Sequence, residues 1–270
     1  MGRAECRLVS RRRILSSGRW RGFVLPLGLL VFWSVAALRA HGTLFVSPAE
    51  VVRAAYESFA SGDLPGAISA TVLRAVLGWS IGSLVGFAAG LLIGLSDLGQ
   101  RIASPTVHGA RQIALFAWIP LLSAWFGNGE AMKLALIALS AFFPVLLHVE
   151  AGCRNVPLPF REIARLYAFD RFDEIVFVIL PAAAPTIISG LELAFVTAWI
   201  GTLGAEYLIG TGYMNASPDG IGAFLAGARE NARMDLVVVA IVALGTIGFT
   251  IDRAVVLASQ KAVAWHRQPQ

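Results

Sequence analysis

The 270-residue chain is 57% hydrophobic and only 14% charged, with a mean hydropathy of +0.70 and a formal net charge of +5. A soluble domain carries about 25% charged residues, so this composition excludes an ordinary soluble globular protein and indicates a polytopic membrane protein. At about 20 residues per crossing, the apolar runs predict six spans, at 22–38, 67–95, 105–126, 131–149, 184–209 and 236–256, in an all-α fold that leaves no room for a sizeable soluble domain.

The chain opens on a basic stretch, 1–21, in which Ser10-Arg11-Arg12-Arg13-Ile14-Leu15 resembles a twin-arginine export signal. Leu38-Arg39-Ala40 is a poor cleavage site because Leu38 is not small, so the apolar run at 22–38 is read as the first membrane helix. With the N-terminus in the cytoplasm, sixteen of the 22 lysines and arginines fall on the inner side and five on the outer, while Arg74 lies within a span. That asymmetry places both termini, including the tail 261–270, in the cytoplasm. It also accounts for the positive charge without nucleic acid. Cys6 and Cys153 both fall on the inner side, where thiols stay reduced. His41, His108, His148 and His266 are scattered and show no metal-ligand spacing. No metal or cofactor site is expected.

In the first outer segment, Ser47-Pro48 predicts a turn before a short amphipathic helix over 49–59, which Ser61-Gly62-Asp63-Leu64-Pro65 ends. The second span carries Gly78, Gly82, Gly86, Gly90 and Gly94, a repeated small surface that lets another helix backbone approach closely. Arg74 near its outer end either snorkels or serves the substrate. Pro120 removes a helix hydrogen bond and predicts a kink in the third span. His108, Arg111 and Gln112 near that span's inner end are read as interfacial anchors. In the fifth span, Glu192, Trp199 and Glu206 recur every seven residues and share one face. The face of Glu192, Trp199 and Glu206 is expected to look toward a translocation path or the seam with a second copy, while the bland reading of Glu192 is a place at the inner interface. Two carboxylates on a route for an anion would require neutralisation by burial or pairing with a base such as Arg74. Beyond it, Gly210-Thr211-Gly212 is an incomplete phosphate-loop pattern with no preceding strand. The triplet Asn215-Ala216-Ser217 is a glycosylation pattern in form only. A short outer helix over 221–229 and a cap at Asp235 lead into the last span.

The stretch 159–185 is the long charged segment between two apolar blocks. Pro159 suits a first helical turn, and Phe160, Ile163, Ala164, Tyr167 and Ala168 recur at helical spacing, with Arg161, Glu162 and Arg165 opposite. Asp170 is positioned to cap a second short helix that stops at Pro181. Ala164 and Ala168, one turn apart, predict a shallow face open to another protein. The bland reading of the segment is an amphipathic helix lying on the membrane surface.

Glu162-Ile163-Ala164, Ala168, Val178 and Leu180-Pro181 keep the spacing of the cytoplasmic loop of ABC-importer permeases, E-A-A, three residues, G, nine residues, I, one residue, L-P. Ile163, Ala168 and Val178 soften three of its positions. Ile119-Pro120-Leu121, Trp125-Phe126-Gly127 and Ala205-Glu206 are similar to further pieces of the same family in the same order. The chain thus resembles, over about 22–260, the inner-membrane permease of binding-protein-dependent importers of the aliphatic sulfonate, taurine, nitrate and bicarbonate type. The resemblance implies a six-helix, MetI-like transmembrane domain over 22–260 in the bacterial inner membrane. It also implies an ATPase-coupling loop within 150–184 (Glu162, Ile163, Ala164, Ala168, Leu180, Pro181), a pair of permeases that is most simply a homodimer, two cytoplasmic ATPase subunits and one periplasmic binding protein. The sequence holds no G-x-x-x-x-G-K-[ST], so ATP is expected to bind the partner ATPase and not this chain. An ion-coupled secondary transporter would require intramembrane charges and inverted repeats. A membrane enzyme would require His, Asp or Glu clustered at one depth. Neither pattern is evident.

Overall fold

The computed structural model describes residues 46–210 and 220–262, with residues 28, 33–35, 37 and 39 ahead of them. The basic stretch 1–21, most of the expected span at 22–38, the Gly-Thr-Gly and Asn-Ala-Ser stretch beyond residue 210, and most of the tail lie outside the described residues. Every regular element among the described residues is helical.

Helix α1 (Pro48–Ala60) begins on a capping box: Ser47 Oγ accepts from Glu50 N at 3.3 Å, and Glu50 Oε2 accepts from Ser47 N at 2.8 Å. These bonds satisfy N–H groups that the first turn leaves without partners. Gly62, at φ +86°, turns the chain into α2 (Asp63–Gly94). The five glycines of α2 face α5 (Glu130–Arg154) along its length. A Cβ at Gly86 would stand 2.7 Å from the Phe142 carbonyl oxygen, and one at Gly90 2.7 Å from that of Leu146. At Gly82 it would land inside the van der Waals radius of the Ala138 carbonyl oxygen. Gly82→Ala is therefore expected to destabilise the fold by about 1–3 kcal/mol through overpacking. Gly245→Ala, where nothing lies within 4 Å, is expected to be neutral or slightly stabilising. Thermal unfolding of the two purified variants checks the contrast.

The middle of the bundle is α5, whose Leu136, Ile137, Ala141, Val145, Val149 and Cys153 are fully buried. Helix α2 packs on one side and α8 (Leu180–Gly210) on the other, with Ile179, Ala183, Ile187, Ala194 and Ala198 completing the core. Pro144 within α5 lacks the N–H that would reach the Ser140 carbonyl. Thr197 Oγ1 of α8 donates to that carbonyl at 3.0 Å instead, so the proline breaks no packing. Helices α9 (Ile221–Glu230) and α10 (Met234–Ala262) close the other flank of α8, and α10 also carries α1.

Four helical runs among the described residues are long and apolar enough to cross a membrane: 63–94, 130–154, 171–208 and 234–261. The expected third span is not one helix. The structure divides it into α3 (Asp97–Ala110), a 3-10 turn (Leu115–Trp118) and α4 (Ile119–Phe126). Helix α3 buries no residue, and the polar Arg111-Gln112 falls in the break. Pro120 does not kink a helix interior; it sits in the first turn of α4, where the missing N–H has no intrahelical role. The last span likewise starts one residue before Asp235. That residue lies in its first turn, paired with Arg233 at 2.7 Å, and is not its cap.

Candidate functional site

Two ends of the bundle carry organised polar or unpartnered surfaces. At one end, α5 runs out at Arg154 and the chain enters α6 (Leu158–Leu166), with Pro159 in its first turn. Ala164 is only 2% exposed because α6 backs onto the following segment, 174–179, through this residue's side. Among the described residues the other side is left largely uncovered: Phe160, Ile163, Leu166 and Tyr167 are half or more exposed, Leu166 by 85%. Phe169 lies between the rings of Tyr167 and Phe177, Phe172 is 70% exposed, and Glu162 is an exposed charge on α6.

Ala168 corrects the expected shallow face. It lies beyond the helix at φ +51°, and Phe169 N donates to the Ala164 carbonyl at 3.1 Å, the backward bond of a Schellman stop. Ala164 is therefore covered by the chain itself, and Ala168 is a helix terminator. A left-handed conformation costs a residue with a Cβ about 1 kcal/mol relative to glycine. Ala168→Gly is expected to raise stability by about that amount, read as a higher thermal midpoint.

Asp170 accepts from Asp173 N at 2.7 Å and caps α7 (Arg171–Asp173), as expected. The helix does not stop at Pro181, however. A π-helical stretch, Glu174–Ile179, carries it straight into α8, with Leu180 N bonding back to the Ile175 carbonyl. This shift to five-residue bonds just ahead of Pro181 lets the chain pass a residue without a donor. Leu180 and Pro181 are half-buried at the join. The segment is thus mechanically continuous with the full length of α8.

At the far end, four charges from three helices meet. Arg74 of α2 bonds through Nη1 to Glu206 Oε1 at 2.9 Å, and through Nε and Nη2 to Glu130 at 2.6 and 3.0 Å. Lys133 Nζ reaches Glu130 Oε1 at 3.0 Å. The other oxygen of Glu206 accepts from Thr71 Oγ1 at 2.8 Å and from Gly222 N at 3.0 Å, while Thr71 Oγ1 accepts from Ile221 N at 2.8 Å. The fully buried Glu206 carboxylate therefore binds the first turn of α9, where the helix dipole favours negative charge. A Cβ at Gly220, whose φ is +135°, would collide with this carboxylate, so glycine is required on both conformational and steric grounds. The Arg74–Glu206 pair supplies the base that a carboxylate at this depth requires. Glu130, Lys133 and Thr71 escape sequence reading. Their signal is the charged pair spaced by three residues at the head of an apolar helix.

Glu192 and Trp199 share a face of α8 with Glu206 but meet other neighbours. Glu192 accepts a hydrogen bond from the Ser259 hydroxyl of α10. Trp199 stacks on Phe195 at 6.4 Å, and its indole lies over Gly248 of α10. A cleft of about 310 Å³ opens beside it, lined by Phe195, Gly248, Phe249 and Asp252 among others.

Comparison with known proteins identifies the family of the chain. Residues 82–263 match the family model described as binding-protein-dependent transport system inner membrane component. The chain is 32% identical over 250 residues to the putative aliphatic sulfonates transport permease protein SsuC of Bacillus subtilis (strain 168), covering 92% of this chain and 88% of that protein. It is 29% identical over 268 residues to the taurine transport system permease protein TauC of Escherichia coli (strain K12), covering 97% and 93%. A solved inward-facing structure of the MetNI methionine ABC transporter superposes with a TM-score of 0.50 at 20% identity, covering 71% of this chain and 95% of that one, a likeness of fold. With a family match spanning more than half its length and this relative at 32% identity, the chain belongs to the inner-membrane permease components of binding-protein-dependent ABC importers, a family of membrane subunits and not of enzymes.

Proposed function

We propose that this chain forms the translocation path for a small anionic solute, with an aliphatic sulfonate or taurine favoured by the relatives' names and nitrate or bicarbonate as further members of the class. In this reading two copies pair in the bacterial inner membrane, served by two cytoplasmic ATPase subunits and one periplasmic binding protein. The termini and the 150–184 loop face the cytoplasm, and the Arg74–Glu206 end faces the periplasm. The observation that carries the reading is the exposed apolar surface of α6, which packs on the stretch 174–179 that runs without a break into α8. A segment exposed on one side and packed on the other against the root of a membrane helix has the form of a transmission element. Closure of the ATPase pair on ATP displaces α6, and α8 carries the displacement to Trp199 and its cleft. The solute must bind the two resulting states with different affinity for the switch to be directional.

Reconstitution in vesicles with the cognate ATPase and binding protein tests this. Uptake of methanesulfonate or taurine that requires ATP and the binding protein is the expected result. Uptake driven by an ion gradient in the absence of ATP would overturn it.

A further inference from the structure

Part of the far-end network has the form of an anion site already filled by the chain's own side chain. Arg74 presents Nε and Nη2 to the two oxygens of Glu130 at 2.6 and 3.0 Å, the two-pronged geometry with which a guanidinium holds any trigonal or tetrahedral oxyanion. Lys133 Nζ adds a third donor at 3.0 Å to the same carboxylate. The two cations are buried, with side-chain exposures of 9% and 2%, while the carboxylate they hold is 53% exposed. A built, recessed cationic site is thus closed by a group that stands half in water.

Glu130 is also the member of the network that can leave. It is the first residue of α5, entered through Gly127-Asn128-Gly129. Gly127 has φ +72°, and a Cβ on Gly127 or Gly129 would touch nothing within 4 Å. The Asn128 side chain of this turn is held by the Ser123 hydroxyl, so the freedom lies in the Glu130 side chain itself, which is 53% exposed and has solvent to swing into. Glu206 does not have that freedom: it is fully buried and bonded through both oxygens. The charge balance points the same way. Arg74, Lys133, Glu130 and Glu206 sum to zero, and with Glu130 withdrawn the remaining three carry +1, which one monovalent oxyanion neutralises.

We infer that Arg74 and Lys133 form a binding site for a small monovalent oxyanion of sulfonate-like chemistry, and that Glu130 stands in for the ligand while the site is empty. The site rests on the proposed anion-importer function and gives it a first contact at the far end of the bundle. An arriving anion exchanges with the Glu130 carboxylate, so the buried cations are never left bare.

The test uses the full-length permease in nanodiscs without its ATPase. Its thermal midpoint is followed as methanesulfonate replaces fluoride at constant ionic strength. Glu130→Gln removes a tethered competitor whose effective concentration is about millimolar or higher, so this variant is expected to bind methanesulfonate saturably and about tenfold more tightly than the wild type. Adding Lys133→Gln to the same chain is expected to cancel the gain. Equal affinity in wild type and Glu130→Gln, a response linear in salt, or a gain that survives Lys133→Gln would overturn the site. If the double variant does not fold, the single comparison still decides, because equal affinity alone is fatal. Failure here leaves the ATP-driven uptake test untouched, so the two readings fail separately.

Discussion

Glu206→Ala is expected to destabilise the folded permease by about 3–5 kcal/mol, the cost of breaking a buried ion pair by removing one partner. Three separate losses follow from one truncation. Arg74 loses its fully buried counter-charge and keeps the half-exposed Glu130, Thr71 loses the acceptor for its hydroxyl, and Gly222 N at the start of α9 loses its acceptor. Glu206→Gln preserves shape but not the pattern. Arg74, Thr71 and Gly222 all donate, so an amide nitrogen at either position faces a donor. It is expected to retain only part of the stability. The decisive measurement is a double-mutant cycle with Arg74→Met. Each single change takes a buried counter-charge from the side chain that remains, whereas the double change removes both members of the pair, so the double variant should be more stable than the sum of the singles predicts. Additive effects would show that the two side chains do not stabilise one another, and would remove the ion pair's role in fastening α2 to α8.

The same network marks where sequence reasoning reaches its limit. That an arginine and a glutamate inside apolar spans each require a partner is legible from their positions. Arg74 was the base at hand for the carboxylates of the fifth span, but Thr71, Glu130 and Gly222 enter only once α2, α5 and α9 converge. The glycine ribbon of α2 was legible because a period of four in small residues has one structural use, and the structure supplies its partner, α5. The helix start at Ser47-Pro48 and the Asp170 cap were legible because helix starts are local chemistry. Two readings failed for a common reason. Hydropathy averaged over 105–126 hides the polar break at 111–112, and the spacing of Ala164 and Ala168 hides a change of backbone hand between them. Both turn on local backbone geometry, which composition does not encode. The family's glycine at the place of Ala168 was the available hint, since a helix stop in the left-handed region favours that residue.

That correction changes how the coupling surface should be tested. An arginine at Ala168 would sit at a helix stop rather than on a docking face. Leu166 is the better probe, because it is 85% exposed and its loss leaves the chain's own core intact. Leu166→Lys is therefore expected to insert and fold like the wild type. If an ATPase cleft covers this residue, burying an ammonium there without a counter-charge removes a central contact worth about 2 kcal/mol or more, roughly a 30-fold loss of affinity. ATPase co-purification and ATP-driven uptake should fall together. Ile163→Lys, on the same exposed side, should behave alike, while Glu162→Ala should weaken coupling with a milder loss of assembly. A helix that merely lies on the membrane surface gives the opposite result. There a lysine stem covers apolar surface while its head reaches the phosphates, so binding is unchanged or improved. Normal uptake and normal ATPase retention by Leu166→Lys would show that lipid, and not a partner protein, covers α6, and the transmission reading of α6 and α8 would fall with it.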